Sequence, residues 1–349
     1  MPELISADRP IRWGILGAGR IADKVAHDLG LRDNSVITAV GARDGARAAD
    51  FAARHGAARS YGSYGELVAD AEVDVVYIAT THPGHHAHAL LAIEAGKPVL
   101  IEKPISLNAA QAREVLTAAA RADVFAMEAM WMRTNPLIRQ AQELIAAGTI
   151  GDVVGVRAEL GLGRALTPTH RLLDLANGGG ALLDLGIYPI TFGYLFLGRP
   201  DQVITRGALA PTGADDTVAL EWLYHGVPRA QLWCSIATPS PNQAVVLGSR
   251  GWIAFEGGFH RPTGLVVRGA GVSGAGVSGA GVHEAADEYR IDDPLGSQQH
   301  GYGPEIEEVE RCLRAGLKES PLIPHADTIA ILELLDQARA ELGVKYPQE

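Results

Sequence analysis

Cysteine is almost missing from this chain: Cys234 and Cys312 are the only two among 349 residues. Two cysteines build no disulfide framework, and these two lack metal-ligand spacing. Runs of basic residues are missing too, and the formal net charge is −11. That disfavours nucleic acid and anionic membranes as partners, since both are held by clustered Lys and Arg. No apolar stretch reaches the ~18 residues expected of a membrane span. The opening "MPELISADRPIRWG" has neither an apolar signal core nor a twin arginine. Together these absences predict a reduced, soluble, cytoplasmic protein.

The length suggests about two domains, and the pattern of apolar runs divides accordingly. The stretches 11–16, 36–42, 73–79, 98–103 and 124–130 are β-branched-rich and bounded by Gly, Pro or Asp. Apolar on both faces, they suit strands buried in a parallel sheet. Helical segments lie between them, such as "NAAQAREVLTAAARA", where Asn108 is the expected N-cap with Gln111 three residues on. Alternating strand and helix predicts a doubly wound α/β domain. Beyond it, after the helical "PLIRQAQELIAAG", alternating runs such as "TVALEWLYH" and "RAQLWCSIAT" predict an antiparallel sheet, with one helix inserted around 181–197 and helices again at the C-terminal end. The fold class is therefore α/β plus α+β: a Rossmann-type dinucleotide-binding domain over 1–130, then an α+β domain over 131–349 with an open, mostly antiparallel sheet. The repeat of Gly-Ala-Gly-Val-Ser at 268–284 reads as a flexible loop or irregular sheet edge and is assigned no chemistry.

The first strand runs directly into Gly17-Ala18-Gly19-Arg20-Ile21-Ala22, which opens a helix. A G-x-G-x-x-A match is weak alone, but strand before and helix after is the context it requires. Gly17 permits the tight turn, Gly19 lets the backbone approach a diphosphate, and Ala22 allows close helix–strand packing. The anion would sit on the helix N-terminus, beside Arg20 and Ile21. An NAD site places Asp or Glu at the end of the second strand, about 20 residues on. This chain has Ala42-Arg43 there, and an arginine suits a 2′-phosphate. NADP(H) is the favoured cofactor, with NAD(H) the alternative; Asp44 next door could partly neutralise Arg43.

"YIATTHPGHHAHALLAIEAGKPVLIEKPIS", "MEAMWMR", "GGGALLDLGIYP" and "KESPLIP", together with "GILGAGRIA", resemble the Gfo/Idh/MocA oxidoreductase family over nearly the whole chain. Within the family the resemblance is to the branch of dimeric dihydrodiol dehydrogenases and NADP-dependent D-xylose dehydrogenases. Two features depart from it: the Gly-rich repeat, and Asn135, where that branch has an aromatic residue. The resemblance implies a cis Lys103–Pro104 bond and a catalytic set of Lys103, Asp184 and Tyr188, where much of the wider family has histidine in place of the tyrosine.

That implication is consistent with the chemistry. Hydride transfer at a carbinol needs a group to take or give the hydroxyl proton, beside a positive charge that stabilises an alkoxide. Lys103 ends a strand at the carboxyl edge of the sheet, where open α/β sheets bind ligands. Tyr188 would be the acid/base, its ordinary pKa of ~10 lowered by a nearby ammonium, and Asp184 would orient the substrate hydroxyl or the lysine. In a helix from Ala181 onward, Asp184 and Tyr188 lie four apart on one face, with Pro189 kinking the chain. The three preceding glycines would let the chain approach the cofactor. The blander readings are Lys103 as a charged strand end paired with Glu102, and Tyr188 as a core tyrosine.

By the same resemblance, Thr80, Thr81, His82 and His85 form the loop under the cofactor, with Glu102 and Lys103 at its nicotinamide end. His82, His85, His86 and His88 invite a metal, but they mix loop and helix without a close Cys or acidic partner, so no metal is expected. Trp131 and Arg133 are candidates for the substrate cleft, with core packing the alternative for Trp131, and Arg171 stands near its mouth or on the surface. The expectation is an NADP(H)-dependent dehydrogenase or reductase acting on a sugar, cyclic polyol or dihydrodiol, a homodimer or higher homo-oligomer through the open sheet. The competing readings are a cofactor-binding sensor without turnover and a sugar oxidoreductase with a tightly bound, recycled cofactor.

Overall fold

The structure is a computed structural model that describes residues 5–6, 9–269, 283–285, 288–296 and 299–349. Most of the Gly-rich repeat, 270–282, lies outside the described residues. The chain forms two compact units. The first comprises Met1–Thr134 with Leu295–Ile329, and the second Asn135–Pro294 with Ala330–Glu349. The sequence, read alone, runs the second domain unbroken from 131 to 349; in the structure Leu295–Ile329 belongs to the first unit.

The first unit is built on β1 (Ile11–Leu16), β2 (Ser35–Gly41), β3 (Arg59–Tyr61), β4 (Val75–Ile78), β5 (Val99–Glu102) and β6 (Ala126–Ala129). All pair in parallel, in the order β3-β2-β1-β4-β5-β6, the order of dinucleotide-binding sheets. Strands β4, β5 and β6 are buried at every position, which suits the apolar residues that make up most of them; Glu102 of β5 and Glu128 of β6 are buried with the rest. Between strands run α1 (Arg20–Gly30), α2 (Gly45–His55), α3 (Tyr64–Val68), α4 (His82–Glu94) and α5 (Ala109–Ala122). The cap expected for α5 is present: Asn108 Oδ1 accepts from Gln111 N at 2.9 Å, and Gln111 Oε1 accepts from Leu107 N at 3.2 Å.

The outer edge of β6 is covered by the returning chain. Ala126 donates its N–H to Lys318 O at 3.1 Å, and His325 Nε2 lies 2.8 Å from Ala126 O. Covering an edge this way removes an unpaired row of backbone groups.

The second unit opens with α6 (Pro136–Ala146), whose N-cap is the atypical Asn135: its Oδ1 accepts from Leu137 N at 2.9 Å and Ile138 N at 3.3 Å. Its strands are β7 (Val153–Gly161), β8 (Gln202–Leu209), β9 (Asp215–Leu223), β10 (Arg229–Ser235), β11 (Ala244–Gly248), β12 (Gly251–Gly258), β13 (Arg261–Gly269), β14 (His283–Ala285) and β15 (Glu288–Asp292). They form a nine-stranded sheet, β14-β15-β13-β12-β11-β7-β10-β9-β8, antiparallel apart from the β7–β10 pair. Helix α7 (Ile187–Leu197) packs on β7 and β10. Phe192 of α7 meets Phe255 and Phe259 edge-on, with centroids 4.9 and 5.4 Å apart, and Trp222 is fully buried. Each such ring contributes roughly 1.5–3 kcal/mol by leaving water.

By length and apolar composition the run Leu175–Leu197 passes as a membrane-span candidate, which the reading for ~18-residue runs missed; 72% of its window is buried inside the protein, as in a core helix. The last two helices are α8 (Gly303–Arg314) in the first unit and α9 (His325–Leu342).

Candidate active site

The turn after β1 has the conformation the glycine pattern requires. Gly17 has φ +107°, and a Cβ there would sit 2.8 Å from Ala79 O. Gly19 differs: a Cβ on it would meet nothing closer than Ala79 O at 3.8 Å. The protein itself does not need glycine at 19, so the open space above it is room for a ligand. Gly19 caps α1 without a side-chain hydrogen bond, which leaves the first N–H groups available to an anion. Arg20 is exposed and Ile21 half-buried. These features fit a dinucleotide diphosphate.

Ala42 is buried and Arg43 exposed at the end of β2. Asp44 serves another purpose than neutralising Arg43: its Oδ1 caps α2, accepting from Ala46 N at 2.9 Å and Arg47 N at 3.4 Å. The sequence reading missed Arg47. Its Nη2 donates to Ala18 O at 3.0 Å, and it lines a cleft of ≈ 420 Å³ with Ala18, Ala46, Asp50 and Arg54. Its position four residues beyond Arg43, on the first turn of α2, was the available signal. Arg43 is not among the residues lining that cleft; its charge acts on His88 instead.

The lysine motif is fixed by backbone bonds on three successive residues. Lys103–Pro104 is cis, as the resemblance implies. Lys103 N donates to Glu102 Oε2 at 3.2 Å, and Glu102 Oε1 accepts from Tyr77 OH at 2.5 Å. Pro104 O accepts from His85 Nδ1 at 2.7 Å. Ile105 N donates to Glu128 Oε1 at 3.0 Å, and Glu128 Oε2 accepts from Thr328 at 3.3 Å. Burial raises the Glu128 carboxyl to about 7, against the pull of the Ile105 N–H, the Thr328 hydroxyl and the charges of Arg133 and Lys103. Glu305 on α8 is fully buried and shifted up well beyond the carboxylate range, by burial first and then by the charges of Glu102 and Glu128. Lys103, half-buried, thus leaves β5 on a rigid turn underlain by carboxyls.

His85 has a second contact, Nε2 to Thr80 O at 3.1 Å. Both ring nitrogens face carbonyl oxygens, yet burial lowers this imidazole to about 4. The neutral ring has one N–H, and the shorter contact, to Pro104, takes it. Thr81 caps α4, and His82 is buried beside His85, ring centroids 5.8 Å apart. The other histidines have separate contacts: His86 Nε2 with Glu114 at 2.8 Å, and His88 Nδ1 with Thr80 Oγ1 at 3.0 Å. Among the described residues no cluster of His, Cys, Asp and Glu could hold a metal ion.

Trp131 and Arg133 lie on a 3₁₀ turn, Trp131–Thr134. Trp131 packs against Tyr302 at 4.8 Å, and Arg133, 7% exposed, pairs with Asp327 at 2.6 Å. Both therefore have framework contacts within the first unit.

In the second unit the segment bearing Asp184 and Tyr188 departs from the expected regular helix. Leu182–Gly186 is a π-helical turn that leads into α7. The extra residue breaks the simple four-residue spacing of Asp184 and Tyr188. Pro189 is the third residue of α7, but the backbone is already helical through the π turn before it, so its missing N–H falls inside a continuous helical run, beside the π turn. Asp184 Oδ1 lies 3.7 Å from Arg171 Nη1. Tyr188 is buried, its ring against His260 at 5.1 Å; His260, 72 positions further along the chain than Tyr188, gave no sequence signal. The preceding glycines answer to the unit's own packing. Gly180 has φ +135°, and a Cβ there would collide with the Asp215 carboxylate. The structure thus gathers Gly17, Gly19 and Thr80 with the Lys103 turn in the first unit, and Arg171, Asp184 and Tyr188 in the second.

Residues 11–130 match the model for an oxidoreductase family with an NAD-binding Rossmann fold, and residues 138–254 the GFO/IDH/MocA C-terminal domain. The chain is 37% identical to trans-1,2-dihydrobenzene-1,2-diol dehydrogenase of Bos taurus over 343 residues, covering 97% of this chain and 99% of that protein. It is 36% identical to the protein of that name from Homo sapiens, with the same coverage. Among solved structures, a 3-ketoreductase from Actinomadura kijaniata in complex with NADP and TDP-benzene superposes with a TM-score of 0.79 at 23% identity, over 95% of this chain and 98% of that one. An NAD binding oxidoreductase from Klebsiella pneumoniae gives 0.81 at 22% identity, over 96% and 97%. The last two likenesses concern the fold.

Proposed function

We propose, for a chain that belongs to the Gfo/Idh/MocA oxidoreductase family, an NADP(H)-dependent dehydrogenase that oxidises one carbinol of a vicinal diol. The substrate class is a dihydrodiol, cyclic polyol or sugar. The relatives named for dihydrobenzenediol oxidation, similar over nearly the full chain, support this class. One observation carries the reading: a half-buried lysine at the carboxyl edge of a parallel sheet, on a turn whose Lys103 N, Pro104 O and Ile105 N are each tied to a buried side chain.

A bound nicotinamide supplies the hydride acceptor or donor. The residues of this chain do the rest. The Gly17–Ile21 turn holds the diphosphate, and Arg43 and Arg47 take the 2′-phosphate by charge-assisted hydrogen bonds. Thr80, Thr81, His82 and His85 form the wall beneath the cofactor, with Glu102 at its nicotinamide end. Tyr188 Oη takes the carbinol proton during oxidation, Lys103 Nζ stabilises the alkoxide oxygen, and Asp184, steadied by Arg171, orients the neighbouring hydroxyl. Trp131 and Arg133 support the substrate end. The same reading pairs the chain with a second copy through the outer face of the nine-stranded sheet, where Trp233, Val245, Leu247 and Trp252 are half-buried; sedimentation would then report a dimer, and a monomer would refute the pairing.

The test follows reduced-nicotinamide absorbance with NADP⁺ and then NAD⁺ against a panel of trans-dihydrodiols, inositols and aldoses. Turnover of a diol with NADP⁺ preferred is expected. A flat trace across the panel, with cofactor bound, would overturn the reading.

A further inference from the structure

Asp184 and Tyr188 hang on a segment whose start is held by groups outside the family motifs. The π turn begins at Ala181, which has helical backbone and offers no side-chain cap. Its early N–H groups need an acceptor. Asp215, the first residue of β9 and fully buried, supplies one: Leu182 N donates to Asp215 Oδ2 at 2.6 Å. The other oxygen, Oδ1, has no hydrogen-bond partner among the described residues and occupies the place a Cβ on Gly180 would need. Glycine at 180 and aspartate at 215 are thus a matched pair that lets the backbone close onto the carboxylate.

The glycine loop is held from its other side as well. Tyr346 OH donates to Gly179 O at 3.0 Å, and Tyr346 is itself pinned. The Arg339 guanidinium lies 4.8 Å from its ring centroid, Arg339 Nη2 bonds Glu349 at 2.8 Å, and Glu349 accepts Tyr346 N at 3.0 Å. Gln348 Nε2 donates to Ala176 O at 2.8 Å.

We infer that Asp215 is a positioning residue for the reaction: its carboxylate, seated against Gly180, fixes the π turn and so the aim of Asp184 and Tyr188, and it does so fully only when ionised. The inference rests on the proton-transfer roles proposed above for Asp184 and Tyr188. A neutral acid accepts the Leu182 N–H more weakly than a carboxylate does, so protonation loosens the turn. The titratable and charged groups facing Asp215 are Arg339 of α9, Tyr346 and Cys234 of β10. Burial holds the Tyr346 hydroxyl and the Cys234 thiol above their ordinary values, so both stay neutral, and Arg339 stays charged. Burial also raises Asp215, to about 6, against the Leu182 and Ala181 N–H groups and the Arg339 charge. Of these four groups, Asp215 is the one that changes charge between pH 5 and pH 7.

The test is the pH dependence of kcat in wild type, Asp215→Asn and Asp184→Asn, paired with hydrogen exchange of the peptide spanning 181–188. Asn at 215 accepts the same N–H at every pH. The inference expects a wild-type acid limb near pH 6 that is absent from Asp215→Asn and kept in Asp184→Asn, with KM for the cofactor unchanged. It also expects exchange in 181–188 to rise at least about tenfold in Asp215→Ala at pH 8, the loss of one hydrogen bond to a charged group. Should that variant not fold, Gly180→Ala, which pushes a Cβ onto Oδ1, gives the same expected exchange. An acid limb that survives in Asp215→Asn, or unchanged exchange in 181–188, overturns the inference. If the wild type turns over no diol, the proposed function fails, and the exchange comparison still decides whether Asp215 holds the turn.

Discussion

His85 Nδ1 lies 2.7 Å from the carbonyl oxygen of Pro104, so a single buried imidazole joins helix α4 to the turn that carries Lys103. The opposite ring nitrogen reaches Thr80 O. Replacing His85 by Ala removes the hydrogen bond to Pro104 O and leaves a cavity. A stability loss of about 2–4 kcal/mol is expected from the lost bond and packing, and kcat should fall about tenfold through misplacement of Lys103. Denaturant unfolding and steady-state rates check this together; full turnover in a destabilised variant would separate His85 from the lysine.

The two buried titrating groups that hold the lysine turn push stability in opposite directions with pH. His85 is depressed from 6.5 to about 4, so the unfolded chain binds more protons in that window, and the stability from neutral His85 is lost as pH falls through it. Glu128 is raised from 4.5 to about 7, so the folded chain binds more protons there, and stability falls as pH rises through that window. Each is worth about 3 kcal/mol at most, and the two partly cancel in the wild type. Glu128→Gln should therefore become more stable relative to wild type as pH rises from 5 to 8, measured by urea unfolding. An equal difference at both pH values would contradict the burial of an ionisable Glu128.

Cofactor preference should depend on Arg43 and Arg47 jointly. Losing a charge-assisted hydrogen bond to a phosphate costs about 1.5–3 kcal/mol. Arg43→Ala and Arg47→Ala should each weaken NADP⁺ binding about tenfold or more while leaving NAD⁺ binding within about twofold. Calorimetric titration with the two cofactors measures this. Equal losses for both would assign the arginines to the common part of the dinucleotide.

Much of the fold was legible in the sequence because the buried strands of the first unit are mostly apolar and end in recognisable chemistry. Strands predicted at 98–103 and 124–130 appear as β5 and β6 within a few residues, and the Asn108–Gln111 cap was readable from two residues. Three-residue β3 was too short to carry a pattern. The return of Leu295–Ile329 to the first unit was hidden because α8 looks like a solvated acidic helix. In fact Glu305, Glu308 and Glu310 are all buried, and Glu308 is paired with Arg311 and Ser320. The Asp184–Tyr188 segment read as a plain helix, since no local period marks a π turn. Its cap, Asp215, is 33 residues away and reads as an ordinary turn aspartate. Local chemistry was visible; support from distant residues was not.

The central claim is that Lys103 stabilises the alkoxide while the cofactor is held elsewhere. Its most direct measurement is single-turnover reduction of NADP⁺ by a diol in wild type and Lys103→Ala, with NADP⁺ affinity determined on the same samples. The account predicts a rate loss of about a thousandfold with NADP⁺ affinity changed less than about threefold. A variant that reduces NADP⁺ at near the wild-type rate, or one that loses rate only because NADP⁺ no longer binds, would contradict it.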